Sequence, residues 1–435
     1  RSTQAKTLFP YTTLFRSGMD HRIGVLKERT LHLGRDIDVF DALACGRDCG
    51  GIFGGSHKIA PMLPAPKPDA VSLADVLKSS VAAVRSEPNR LGLAAVDHAV
   101  VVLVDGLGVD ALRARSGHAR TLTSAMSAGS VIESGFPTTT AAGITSLTTG
   151  VLPGRHGIVG YSAYDSSRDR VINQLTGWDD HQDPATWQRV PTLFELAHDV
   201  GLAGVAIGPE RYRDSGFSRA ALRGATYLGG ATVHDRATRA AEWLRSSRPG
   251  VAYLYVPELD VAAHAKGWES GEWTAALETT DSALQDLVAQ LGRRDGLVVT
   301  ADHGVLDVPR HNHVLIDERS GLLEGVRHVA GEPRCVQLHA EPGADLDAVL
   351  ERWRDSESSR SWVATREEVI ASGWFGPTDD DVASRMGQIF VAARKGVAYY
   401  DSRTAGASRG MIGQHGSLSP AEIRVPLVRF GAFAD

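Results

Sequence analysis

Two runs of apolar, largely β-branched residues that each end in an aspartate, AVVVLVD at 99–105 and GLVVTAD at 296–302, constrain this chain more than any other feature. A run that is apolar at every position must be covered on both faces, as in a mostly parallel sheet flanked by crossover helices. Further runs of this kind are SVIESGF (130–136), LAGVAIG (202–208), VAYLYV (251–256) and QIFVAAR (388–394). Helical patterns separate them, among them Trp273, Leu277, Leu284, Leu287, Val288 and Leu291, which form one apolar stripe read as core. Alternation of this sort predicts an α/β fold.

With 43% hydrophobic and 23% charged residues among 435, the chain has material for a large core. A net charge of −6 offers no basic excess to neutralise a phosphate backbone, so extended nucleic acid is not expected as a partner, whereas a small phosphorylated ligand is compatible. Three cysteines, Cys45, Cys49 and Cys335, cannot all pair, which suits a reducing compartment. No apolar run reaches the roughly 18 residues of a membrane span and no secretory leader is visible. The expected location is therefore cytoplasmic, away from the membrane.

The N-terminal region reads as foreign to this fold. Arg1–Gly18 contains LFPYTTLFRS, whose reverse translation spells a common sequencing-adapter oligonucleotide, and residues 1–61 as a whole read as a non-native or disordered extension. Cys45, Cys49 and His57 lack the paired spacing of a zinc ribbon. Met62 is the expected start of a catalytic domain over 62–435, and the stretch 305–385 interrupts the strand rhythm as an inserted subdomain or cap would.

In open α/β sheets ligands bind beyond the carboxyl ends of the strands, so the polar residues next to apolar runs are the informative ones. Asp105 ends VVLVD beside Gly106 and Gly108. PTTTAAGITSLTTG, 137–150, leads from a strand into a helix, where free N–H groups and the helix dipole favour a phosphate. Asp260 and His264, four apart on a first helical turn, project from one face. Asp302-His303 closes GLVVTADHG, and His415 lies in a glycine-flanked loop. Singly, each reads as a helix cap or a solvated pair. Together they supply seven N/O ligands, enough for two tetrahedral zinc sites.

Assembled in order, DGLG, PTTTAAGITSLTTGVLPGRHGIVGY, ELDVAAH, ADHG and GQHG resemble the alkaline-phosphatase superfamily, and within it the nucleotide pyrophosphatase/phosphodiesterase branch, over about residues 95 to 430. The resemblance implies a three-layer αβα sandwich with an inserted cap. It also implies two divalent metal ions, zinc or else manganese, and a nucleophilic threonine at Thr140, with Thr138 and Thr139 as rivals. By the same resemblance Asp260, His264 and His415 hold one metal, while Asp105, Asp302, His303 and the Thr140 oxygen hold the other. The implied reaction is hydrolysis of phosphate diesters or nucleotide pyrophosphates through a phospho-threonine. Gly143, three residues after Thr140, carries no side chain to hold a phosphoryl oxygen, so a phosphomonoesterase or a phosphonate or sulfate ester hydrolase is the alternative. A nucleotide-binding protein without catalysis is the reading from another class. His156 is expected to be structural; Trp178 and Trp187 either anchor loops or stack a nucleobase, and Arg155 is a candidate cationic clamp.

Overall fold

The computed structural model describes residues 63–435 apart from Pro68, Ser247, Ser320, Thr404, Ala405 and Asp435. The expectations for residues 1–61, for Met62 and for the Cys45, Cys49 and His57 cluster lie outside these. The core is a six-stranded sheet in the spatial order Val428–Gly431, Asp295–Thr300, His98–Val104, Gly250–Val256, Ala203–Gly208, Thr226–Gly229. All neighbours are parallel except the edge strand Val428–Gly431, which runs antiparallel to Asp295–Thr300. His98–Val104 and Asp295–Thr300 are buried at every position, as their uninterrupted apolarity requires.

Helices cover the sheet in two groups. Ala74–Val84 packs on Thr140–Thr149 and on the two central strands, while Val233–Leu244 packs on Gly271–Val288. Most of the expected stripe lies on the latter helix, where Trp273, Leu277, Leu284 and Leu287 are buried, while Leu291 lies beyond its end. Ser270 caps this helix by accepting the Trp273 N–H.

Two strand readings need correction. QIFVAAR forms Ile389–Ala393, but in a second, antiparallel sheet ordered Val326–Glu332, Cys335–Ala340, Ile389–Ala393, Ser361–Thr365. Ile389 and Val391 face one apolar cluster with Trp353, and Phe390 and Ala392 face another with Phe375. Continuous apolarity thus reported cover on both faces, not strand direction. SVIESGF supplies only Val131–Glu133, which pairs with Arg424–Pro426 outside the main sheet. Three strands of the second sheet come from the 305–385 stretch and the fourth from just beyond it. Among the described residues no helix is long and apolar enough to cross a membrane.

Candidate metal centre

The three strands at the middle of the main sheet each deliver an acid at their carboxyl end. Asp105 comes directly after His98–Val104, Asp302 lies just past Asp295–Thr300, and Asp260 lies in helix Glu258–Lys266, which begins just after Gly250–Val256. Because these strands are neighbours, residues almost 200 apart in sequence meet. Thr140 opens helix Thr140–Thr149, whose N-cap residue Thr139 makes no side-chain cap, leaving the first N–H groups free for an anion. His415 enters from the loop after the two-residue strand Gly413–Gln414.

All seven residues converge. His303 Nε2 lies 3.3 Å from Asp105 Oδ1, 3.7 Å from Asp302 Oδ2 and 3.3 Å from Thr140 Oγ1. His264 Nε2 lies 3.2 Å from Asp260 Oδ2 and 3.3 Å from His415 Nε2, which is 3.8 Å from Asp260 Oδ1. Ligand atoms of Asp105, Asp302 and His303 all fall within 4.8 Å of one another, and so do those of Asp260, His303 and His415. His303 therefore borders both groups, its ring stacked on His415 at 3.6 Å.

The imidazoles are aimed by the backbone. The Nδ1 atoms of His264, His303 and His415 hydrogen-bond the carbonyls of Gly413, Gly304 and Thr138 at 2.8, 3.2 and 2.7 Å. Donation from Nδ1 turns each Nε2 toward the centre, where in the neutral imidazole it carries the lone pair a cation needs. Tyr255 donates its hydroxyl to Asp105 Oδ2 at 2.5 Å, and the Gly106 N–H reaches Asp302 Oδ1 at 3.3 Å.

Electrostatics betray the crowding. Burial, reinforced by the charges of Asp302 and Asp260, raises Asp105 well above the usual carboxylate range. Burial and the Asp260 charge likewise lift Asp302 to about 7. Burial opposes ionisation of Asp260 too, but the charge of His264 and its hydrogen bond hold that carboxyl below its ordinary value. Burial would depress His264, yet the Asp260 carboxylate outweighs it and raises the imidazole to about 9. Burial lowers His303 and His415, which suits neutral ligands. The donor set fits divalent cations on a further observation: Asp105 Oδ1, Asp260 Oδ1 and Asp302 Oδ2 are buried without a hydrogen-bond partner. A buried, unsatisfied carboxylate oxygen is costly unless a cation meets it.

Glycines permit this approach. Gly143 presses its helix onto Asp302, where an added Cβ would meet Asp302 Cβ at 2.7 Å. Gly106, at φ +75°, would meet Asp260 Cβ at 3.1 Å. Sequence reasoning missed Tyr255, although a tyrosine inside an otherwise apolar strand that runs into Asp260 was a signal; the carbonyl partners of the histidines left none.

Other candidates stay apart from the centre. His156 is neutral, held to about 3 by burial and then by Arg385, and it joins Ser146 Oγ at 3.0 Å to the Ile158 N–H at 3.1 Å. Trp178 and Trp187 donate to Gln174, and the Arg385 guanidinium lies 3.9 Å over the Trp187 ring, so both indoles fasten a loop. Arg155 is engaged by Asp379.

Several known proteins are similar to this chain in sequence or in fold. An uncharacterised pyrophosphatase/phosphodiesterase of Schizosaccharomyces pombe is 22% identical over 267 residues, 57% of this chain and 53% of that protein. Venom phosphodiesterase 2 of Crotalus adamanteus is 26% identical over 182 residues, 40% of this chain and 22% of the venom protein. The chain thus spans about half, or less, of the length of these curated relatives. Among solved structures, an inactive threonine-to-alanine variant of murine ectonucleotide pyrophosphatase/phosphodiesterase 5 with AMP superposes at TM-score 0.60 and 18% identity, covering 77% of this chain and 88% of that one. Phosphonoacetate hydrolase from Sinorhizobium meliloti with phosphonoacetate gives 0.60 at 18%, covering 76% and 89%. These likenesses show a shared fold. Residues 99–418 match the type I phosphodiesterase / nucleotide pyrophosphatase family, and with most of its length inside that match the chain belongs to this family.

Proposed function

We propose that this protein hydrolyses phosphate diesters or nucleotide pyrophosphates, with Thr140 as nucleophile at a two-metal site. The observation that carries the reading is the meeting of three partnerless buried carboxylate oxygens with the Nε2 atoms of His264, His303 and His415, with the Thr140 hydroxyl 3.3 Å from His303 Nε2. Asp105, Asp302 and His303, with the Thr140 oxygen, would hold one cation, and Asp260, His264 and His415 the other. Asp/His sets of this kind suit zinc, and manganese is the second choice. Two bound dications would acidify the Thr140 hydroxyl and offset charge on the phosphoryl and leaving oxygens.

In this reading Thr140 Oγ1 attacks phosphorus and displaces the alcohol or phosphate leaving group, giving a phospho-threonine. Water then attacks the same phosphorus, releasing the product and returning the hydroxyl. The uncapped N–H groups at the start of helix Thr140–Thr149 favour the phosphoryl charge. One comparison supports the reading in two respects: the inactive murine neighbour is a threonine-to-alanine variant, and it is complexed with AMP. A small nucleotide is accordingly the proposed substrate class.

Thr140→Ala is expected to remove turnover, by at least about 100-fold, while leaving the melting temperature and metal content near wild type. Activity within a few-fold of wild type would exclude the threonine. The likeness to phosphonoacetate hydrolase favours one alternative, a phosphonate hydrolase on the same centre. Rates on a bis-aryl phosphate diester, an aryl phosphate monoester and phosphonoacetate separate these readings, with the diester expected to be fastest.

A further inference from the structure

We infer that the buried ion pair between Arg334 and Glu422 positions His415, so that the second sheet sets the affinity of one of the two metal sites. The inference rests on the two-metal reading above. Arg334 and Glu422 have side chains 0% exposed and are joined by two hydrogen bonds, Nε to Oε1 at 2.9 Å and a terminal nitrogen to Oε2 at 2.7 Å. The remaining Arg334 N–H groups go to the carbonyls of Lys395, Val397 and Ala393, which ties the guanidinium to the end of strand Ile389–Ala393. Glu422 passes the anchorage on: Oε1 accepts the Ser417 N–H at 2.9 Å, and Oε2 accepts the Ser419 hydroxyl at 2.5 Å.

The loop is held equally from its other side. Thr138 donates its hydroxyl to the Ser417 carbonyl at 2.7 Å, accepts the Gly416 N–H at 2.9 Å, and takes His415 Nδ1–H on its carbonyl. Gly416, at φ +134°, would bring a Cβ within 2.3 Å of Glu332 Cγ, so the turn Glu332-Pro333-Arg334 lies directly against the loop. His415 needs such support more than its partners do. Asp260 and His264 share one helix, whereas His415 hangs from a loop after a strand of two residues. Groups that orient a ligand from behind typically alter metal affinity by about 10–100-fold. A buried arginine–carboxylate pair gives a rigid, two-point joint that one lysine nitrogen cannot reproduce.

The test compares wild type, Glu422→Gln, Arg334→Lys and Glu357→Gln, each stripped of metal and titrated with zinc against a chromophoric chelator. Cobalt absorption spectra track the two sites independently of turnover. Glu357 is the control: its side chain is also 0% exposed and bonded to Arg360 and Tyr399, and its hydrogen bonds do not go to 415–417. Wild type is expected to bind two ions. Glu422→Gln and Arg334→Lys should weaken one of the two by about 10–100-fold and alter one cobalt signature. Glu357→Gln should lower the melting temperature and leave both affinities in place. Unchanged affinities in Glu422→Gln and Arg334→Lys, or an equal loss in Glu357→Gln, would overturn the inference. Arg334→Lys keeps the buried charge and carries the test should Glu422→Gln fail to fold. A wild type that binds no pair of ions sinks the two-metal reading itself, while two ions held equally by all variants sink only the role of the ion pair.

Discussion

At the scale of single residues, the site is as much a matter of missing atoms as of functional groups. Gly143 is the clearest instance, since the space a Cβ would fill is taken by Asp302. Gly143→Ala removes no chemistry, yet it should push helix Thr140–Thr149 off Asp302. Overpacking of this kind costs about 1–3 kcal/mol. The expected outcome is a lower denaturation midpoint together with weaker zinc binding, read by urea melting and metal titration. An alanine variant matching wild type in both would refute the packing argument. The Asp–His pairs were legible in the sequence because their members stand adjacent or one helical turn apart. Tyr255 was not, because its partner Asp105 is 150 residues away.

At the scale of elements, the turn Glu332-Pro333-Arg334 joins two structural roles, and Glu332 gives it a pH signature. Burial pushes Glu332 up to about 8 from 4.5, against the pull of the Tyr161 N–H and with the Glu422 charge adding to the rise. The folded state therefore keeps a proton that the unfolded chain releases between pH 4.5 and 8. Glu332 contributes its full stability below pH 4.5 and loses it as pH climbs through 8. Glu332→Gln, a permanently neutral isostere, should flatten that decline in metal-free protein, as denaturant melts in half-unit steps would show. A slope equal to that of wild type would count against the protonated carboxyl. Strand direction is the element-scale property that escaped the sequence. Ile389–Ala393 and His98–Val104 are equally apolar, one antiparallel and one parallel, because both are covered on two faces.

For the molecule as a whole, three buried acids at the ends of adjacent strands make the main sheet self-repelling at its carboxyl edge. Burial and the neighbouring carboxylates raise both Asp105 and Asp302 above the usual carboxylate range, so ionising all three acids without a cation is costly. Metal should therefore stabilise the entire domain, by about 4 kcal/mol for an ion present at a thousand times its dissociation constant. Chelation is expected to lower the calorimetric melting temperature and abolish hydrolysis, and zinc add-back to restore both. A melting temperature indifferent to chelator would contradict a cation bound among these acids.

What the sequence determined on its own was the α/β class, the order of the motifs and the acids next to the strand ends, since local periodicity fixes where a strand ends and which side chains stand at its carboxyl terminus, whereas the choice of Thr140 among its neighbours came from the family resemblance. Which strands are neighbours was decided only in three dimensions: Asp105, Asp260 and Asp302 become one site because His98–Val104 lies between Gly250–Val256 and Asp295–Thr300. The same holds for the groups behind the histidines. Thr138 and Gly413 act through carbonyls and Glu422 through a buried carboxylate, their partners set by packing, and no spacing in the chain encodes a contact made across the interior.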